Sequence, residues 1–320
     1  MPSYSGVWTL TAQYQAKGSG NWPFPPPLLT GSVAVFAGQQ ANKLVSTSEY
    51  INISSLSNSA NFGDLLNPWG NWGTCASTTR GLFSGEVFSS NVIQYITIAT
   101  AGNAIDFGDL TRGREYHSGG CNSTTRGVFA PSQGSNNESN VIDYVTIATT
   151  GNATDFGDTT ILAYETSSAS SQTRGIIAVG TNSTGLKNVI EYITIASTGN
   201  AIDFGDATIA KSGTAACSNS TRLLFGGGHV SYVSHNIIDY ITIASTGNAT
   251  DFGDLTVSRR YGGAASNSTR GIFIDGYSNQ SVNVMDYVTI ASTGNAIDFG
   301  DSIISQLGVG AVSNANGGTQ

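Results

Sequence analysis

Charge is what this sequence has least of: Asp, Glu, Lys and Arg make up 11% of its 320 residues, and lysine occurs four times. Long amphipathic helices need charged outer faces and disfavour glycine, of which there are 40 residues, so a helical fold is not expected. Disorder is not expected either, because 13 Tyr and 13 Phe recur on a fixed period. No run approaches the length of a membrane-spanning helix, and the amino terminus (MPSYSGVWTLTAQYQ) lacks the basic and apolar regions of a secretory signal. Neither a membrane span nor Sec export is therefore expected, and the chain should be made in the cytoplasm. Three cysteines, Cys75, Cys121 and Cys217, have no CxxC spacing, and each stands five residues before a repeated arginine. Equivalent positions on different repeats cannot pair, so these read as small buried hydrophobes rather than redox or metal groups. The net charge of -8 argues against binding to nucleic-acid phosphates or anionic lipid.

What the chain does have is a repeat. NVIxYxTIAxTGNAxDFGD occurs nearly verbatim at 91–109, 140–158, 188–206, 236–254 and 283–301, with a worn copy at 49–64. The aligned tyrosines, Tyr50, Tyr95, Tyr144, Tyr192, Tyr240 and Tyr287, are 45, 49, 48, 48 and 47 residues apart, the length of one four-stranded propeller blade. Each repeat carries a second apolar run entered by an arginine, at Arg80, Arg126, Arg174, Arg222 and Arg270, and the orphan run 32–38 stands near the amino terminus with Val33 where a sixth arginine would be. The expected fold is all-β: a six-bladed β-propeller with repeats near 41–83, 91–129, 140–177, 188–225, 236–273 and 283–320 plus 31–38. The N-terminal strand then completes the last blade, which removes open sheet edges. Within a unit the expected strands are the Arg-led run, 92–99, 104–110 and 116–121. The second of these is apolar on both parities, as for a sheet packed between neighbours, and Gly102-Asn103 suits a tight hairpin.

These residues resemble the kelch-type propeller, in which an Arg-led inner strand followed by Gly-Gly opens each blade; here Gly-Gly survives clearly only at Gly226-Gly227-Gly228. The nearer resemblance is to kelch-like repeat proteins in virions of tailed, especially marine, phages, which look like strings of the same IDYxTIASTGNAxDFGDL unit. It covers about residues 31–320, and the leader around Trp8 and Trp22-Pro23 resembles the opening of such proteins. The resemblance implies a virion protein present in many copies per particle.

Comparing repeats within the chain separates two loop classes. The Thr-Gly-Asn turn and the Asn-Ser-Thr-Arg turn hardly change, whereas the other two loops vary, and strand alternation puts the constant turns on one rim and the varied loops on the other. Recognition is expected on the varied rim. It carries Phe88, His229, Tyr232, His235, Asp275 and Tyr277 from one loop set, and Trp69, Trp72, Arg114, Tyr116, His117, Tyr164, Arg259, Arg260 and Tyr261 from the other. Of these, Trp69, Trp72, Tyr116, His117, Tyr164, Tyr232, Tyr261 and Tyr277 are the candidate binding residues, since aromatics stack on sugar rings while their polar edges hydrogen-bond.

Catalysis is not expected. Asp-Phe-Gly at Asp106, Asp155, Asp203, Asp251 and Asp298 comes without a glycine-rich loop or His-Arg-Asp, so it is no kinase signature. Each of these acids has a second Asp three residues on, read as local turn-making rather than a calcium site. The five repeated arginines could form a collar at the channel, but pairing with Asp143, Glu191, Asp239, Asp286 or the Asp-Phe-Gly-Asp aspartates is the expected arrangement. His117, His229 and His235 show no zinc or Ser-His-Asp spacing, and neither metal nor cofactor is expected. Residues 1–30, with Trp8, Trp22 and Pro25 in a proline-rich strut, read as an extended arm docking on another virion protein. The functional expectation is a phage tail or tail-fibre protein whose varied rim meets a host-surface glycan or a neighbouring virion protein. The rivals are a capsid decoration or tail-connector protein acting as a spacer, and a polysaccharide-degrading enzyme.

Overall fold

The computed structural model describes residues 28–40, 46–67, 70, 73–85, 90–116, 118–133 and 138–319; Trp8, Trp22, Pro25, Trp69, Trp72, Phe88 and His117 lie outside them. Six antiparallel sheets form a six-bladed β-propeller. From the axis outward, blade 1 contains Leu307–Ser313, Val33–Gln39, Thr47–Asn52 and Ala60–Asp64; blade 2 Gly73–Ala76, Arg80–Ser84, Ser90–Thr97 and Ile105–Arg114; blade 3 Gly120–Asn122, Arg126–Phe129, Val141–Thr146 and Thr154–Asp158. Blade 4 contains Ser167–Ser170, Arg174–Asn182, Gly185–Thr194 and Ile202–Asp206; blade 5 Ser212–Ser218, Arg222–Val230, Ile237–Thr242 and Thr250–Asp254, with Val233–Ser234 pairing back on the second strand; blade 6 Gly263–Ser266, Arg270–Ser278, Gln280–Thr289 and Ile297–Asp301. Among the described residues no helix is long and apolar enough to cross a membrane.

The blades are cut from the repeat one strand earlier than expected. The Arg-led run is the second strand, and the Gly-, Ala- and Ser-rich stretch before it, expected as an outer strand of the preceding unit, is innermost. Convergence on the axis explains this, because only small side chains fit there: a Cβ at Gly120 would lie 2.1 Å from the Thr74 carbonyl oxygen, and one at Gly119 2.4 Å from the Ser168 nitrogen. Serines bind neighbouring inner strands together. Ser170 Oγ donates to Asn122 O, Ser218 Oγ to Ser170 O and Ser266 Oγ to Ser218 O, each at 2.7–2.8 Å. They leave a cavity of about 60 Å³ at the axis.

The cysteines belong to this layer. All three are free and buried, and burial pushes the Cys121 and Cys217 thiols up to about 12. Their sulfurs sit where a Cβ would be on Gly127, Gly175 and Gly271 of the following blade, which accounts for the glycine after each of those arginines.

The seam between the chain's two ends copies a covalent turn. In the other blades the first turn residue accepts from the arginine nitrogen and donates its own nitrogen to the arginine carbonyl, as Asn219 does with Arg222 at 2.8 and 3.0 Å. In blade 1 Asn314 makes the same two bonds to Val33, at 2.9 and 3.2 Å, across the chain break. Residues 315–319 then turn into the end of the axis. Gly317 N donates to Ser218 O at 2.9 Å, and a Cβ on Gly318 would stand 2.1 Å from Asn122 O.

The verbatim parts of the repeat are the contacts between blades. Each Thr-Gly-Asn asparagine accepts from the second Asp nitrogen of the preceding blade: Asn103 from Asp64, Asn152 from Asp109, Asn200 from Asp158, Asn248 from Asp206, Asn295 from Asp254, and Asn58, in the worn copy, from Asp301, at 3.0–3.1 Å. The Asp-Phe-Gly-Asp segments lie in outer strands rather than turns. Their phenylalanines meet the repeat tyrosines edge to face in all six blades, with centroids 5.8–6.2 Å apart.

The arginines do not form carboxylate pairs. Each guanidinium lies 4.4–4.8 Å from the centroid of its own blade's tyrosine and donates to a carbonyl of the next blade: Arg80 to Ile147, Arg126 to Ile195, Arg174 to Ile243, Arg222 to Ile290 and Arg270 to Ile53. The tyrosine face and the carbonyl together satisfy the cation, so no acid is needed. Where Val33 replaces arginine, the backbone supplies the link instead, with Leu29 N donating to Ala99 O at 2.8 Å and Leu28 bridging Thr100.

Candidate functional site

The opposite rim departs from sixfold regularity. In blades 4 and 6 the second and third strands lengthen into raised hairpins, in blade 5 the second strand does so with Val233–Ser234 folding back on it, and a bulge glycine in each bonds to the segment leading into the following blade: Gly180 N to Lys211 O, Gly228 N to Arg259 O and Gly276 N to Gln306 O. Tyr164 pairs with Thr181 and Arg260 with Tyr277, each as an isolated bridge that joins an inter-blade segment to a hairpin.

At the mouth of the axis, four equivalent residues take a left-handed bend at or just before the start of the inner strands: Glu165 (φ 55), Gly213 (φ 66), Tyr261 (φ 57) and Gly308 (φ 62). Gly213 N donates to Glu165 O, Tyr261 N to Gly213 O and Val309 N to Tyr261 O, so these bends form a backbone collar. Glycine takes this conformation freely. Glu165 and Tyr261 hold it at a cost of about 1–3 kcal/mol each, the kind of local strain that clusters at functional sites.

Both side chains reach one hub. Ser212 Oγ donates to Glu165 Oε2 at 2.7 Å and Tyr261 OH to Glu165 Oε1 at 2.9 Å. His229 Nε2 lies 3.3 Å from Glu165 Oε2, 3.1 Å from Ser212 Oγ and 3.1 Å from Tyr261 OH. Burial alone would push the Glu165 carboxyl up; the hydrogen bonds from His229, Ser212 and Tyr261 outweigh it and hold the carboxyl below its ordinary value. The Tyr261 phenol is pushed up by burial and by Glu165. This is not a nucleophile relay, which needs serine and acid on opposite ring nitrogens. Here both sit at Nε2, Nδ1 has no partner, and Ser212 is fully buried.

Tyrosines continue outward from the hub. Tyr232, 80% exposed, lies parallel to the His229 ring with centroids 5.8 Å apart and planes 9° from parallel. It occupies a two-residue hairpin turn between Val230 and Val233 in which Ser231 (φ 48) and Tyr232 (φ 66) are both left-handed, a turn that ordinarily calls for Asn-Gly. Arg260 donates to Tyr232 O, and its guanidinium lies 4.8 Å from the Tyr277 centroid and 5.6 Å from that of Tyr261. On the other side Tyr116 and Tyr164 pair with centroids 5.1 Å apart. The Tyr164 phenol is held up by burial first, then by Glu165, Glu138, Tyr116 and Tyr232. Tyr116, Tyr164, Tyr232, Tyr261 and Tyr277 thus gather on one sector of the varied rim.

Other residues expected on that rim are inside it. Arg114, Arg259, Asp275 and His229 are buried, the first two because each pairs with a blade acid. Arg114 meets Asp143 at 2.7 Å, Lys211 meets Asp239 at 3.1 Å and Arg259 meets Asp286 at 2.8 Å. The other oxygen of each acid accepts a threonine hydroxyl at 2.5 Å, from Thr111, Thr208 or Thr256. The remaining blades vary the device: Glu49 takes Gln306 at 3.2 Å, blade 2 has Gln94 where the acid would be, and the Glu191 carboxyl, bonded by Thr160 N, is pushed up by burial. These partners lie in segments of unequal length, so repeat spacing does not reveal them. Lys211 escaped sequence reasoning altogether; its only signal was being one of four lysines.

Among the described residues no cluster of His, Cys, Asp and Glu could hold a metal ion. No protein-family model matches the chain, and no curated protein matches it.

Proposed function

We propose that this chain is a binding component of a tailed-phage virion, in the tail or a tail fibre, whose varied rim at blades 4–6 contacts a host-surface glycan. One observation carries the binding assignment: five tyrosines and a buried Glu165–His229–Ser212–Tyr261 hub converge on one sector, while the opposite rim repeats the same contacts blade after blade. A rigid ring with one aromatic sector suits recognition. The virion assignment is supported by the repeat unit's resemblance to kelch-like virion proteins, and residues 1–30 would attach the ring to the particle. The test adds purified chain to host cells before phage. Reduced adsorption, with the chain retained on the cells, supports the reading. Absence of the chain from purified particles by mass spectrometry, or unchanged adsorption with folded chain, overturns it.

A further inference from the structure

We infer that the ligand of this rim is an uncharged saccharide, seated on the exposed face of Tyr232 and flanked by Tyr164, Tyr116 and Tyr277. The inference rests on reading the rim as a binding surface and adds the chemical class of what it binds.

The platform comes first. One face of Tyr232 rests on His229 and the side chain is 80% exposed, so a flat apolar surface is offered to solvent. Two successive left-handed residues hold it there, and Arg260 fixes its carbonyl from below. The C–H face of a pyranose stacks on such a ring, while its hydroxyls need neutral donors and acceptors around the edge. The Tyr164 phenol, paired with Tyr116 and pushed up by burial and neighbouring acids, supplies such a neutral group.

Charge then decides the class. Of the sector's cations, Arg260 donates through Nη1 to Tyr232 O and Ser234 Oγ and lies against the faces of Tyr261 and Tyr277, and Lys187 Nζ donates to Thr184 Oγ1 at 2.6 Å. Arg259 and Lys211 are buried against Asp286 and Asp239. Glu165 lies at the base of the sector, and Glu138 bonds Ser183 at the tip of the neighbouring hairpin. A uronate or sialate carboxylate would meet two carboxylates, Glu165 and Glu138, in this sector, and would be repelled by a chain of net charge -8.

The experiment exposes the full chain, and its Tyr232→Ala and Tyr164→Phe variants, to an array of neutral and acidic oligosaccharides, with thermal melting to confirm that each variant is folded. The expected result is retention on neutral glycans alone, weakened at least tenfold by Tyr232→Ala and less by Tyr164→Phe. Preference for acidic glycans overturns the charge argument while leaving glycan recognition standing. Retention unaffected by Tyr232→Ala overturns the location. No retention on any glycan by a chain that still blocks phage adsorption overturns the saccharide and points to a protein receptor. No retention and no block together overturn both readings.

Discussion

Replacing Lys211 with methionine tests whether the buried ion pairs hold the rim in place. Both Lys211 and Asp239 are fully buried, 3.1 Å apart, and Thr208 occupies the other Asp239 oxygen at 2.5 Å. Lys211→Met leaves a desolvated carboxylate with one hydroxyl for support. Breaking such a pair from one side costs about 3–5 kcal/mol, and the Thr208 bond puts the expected loss near the lower end, still a large share of the roughly 5–15 kcal/mol that holds a domain folded. Removing both charges is far milder. Lys211→Met with Asp239→Asn keeps an acceptor for Thr208 and imitates blade 2, where Gln94 sits uncharged, so the double variant should return to within about 1–2 kcal/mol of the parent. Urea denaturation followed by circular dichroism reads all three chains. A single-variant loss below about 1 kcal/mol, or a double variant no better than the single, would refute the reasoning.

Gly157→Ala should be much more damaging than Gly151→Ala. Both have positive φ, but an added Cβ would meet the Gly199 carbonyl oxygen at 2.5 Å in the first case and nothing within 4 Å in the second; equal melting temperatures would contradict the inter-blade contact. Arg126→Met should cost about 1–3 kcal/mol by losing the 2.8 Å bond to Ile195 O and the stack on Tyr144. Arg126→Lys should recover only part of it, because an ammonium keeps the charge without the planar face. Burial pushes the Asp275 carboxyl well above its usual value, against the opposing bond from Ser302, with Glu49 adding to the rise. Folding then favours its protonated form: this contribution is fully present below about 3.9 and is lost as pH rises through the folded value. Asp275→Asn should flatten the decline in melting temperature from pH 4 to 8, leaving the same-signed slope from Glu191; an unchanged slope would place the titration elsewhere.

Tyrosine spacing made the blade count legible because each blade needs the same Tyr–Phe edge pair and the same Thr-Gly-Asn contact, so the residues that repeat are those that touch across blades. The same repetition hides where a blade begins. A run such as Gly263–Ser266 carries too little apolar surface to announce itself as an innermost strand, and the steric demand that selects small residues appears only when six strands meet at the axis. Arginine chemistry misled for a related reason: Arg80 and its counterparts sit above a tyrosine face that spacing along the chain does not bring near. The rim tyrosines were identified by their variability among repeats, and Tyr116, Tyr164, Tyr232, Tyr261 and Tyr277 do share one sector. Their assembly around Glu165 and His229 depends on left-handed bends at non-glycine residues, for which the sequence carries no marker.

Hydrogen exchange of the full chain, alone and bound to host-cell envelope, measures most directly which rim makes contact. The account predicts slowed exchange in residues 181–187, 228–235, 259–262 and 275–281, with the Thr-Gly-Asn turns at 150–152, 198–200, 246–248 and 293–295 unchanged. Protection confined to those turns would put the binding surface on the constant rim and contradict the assignment.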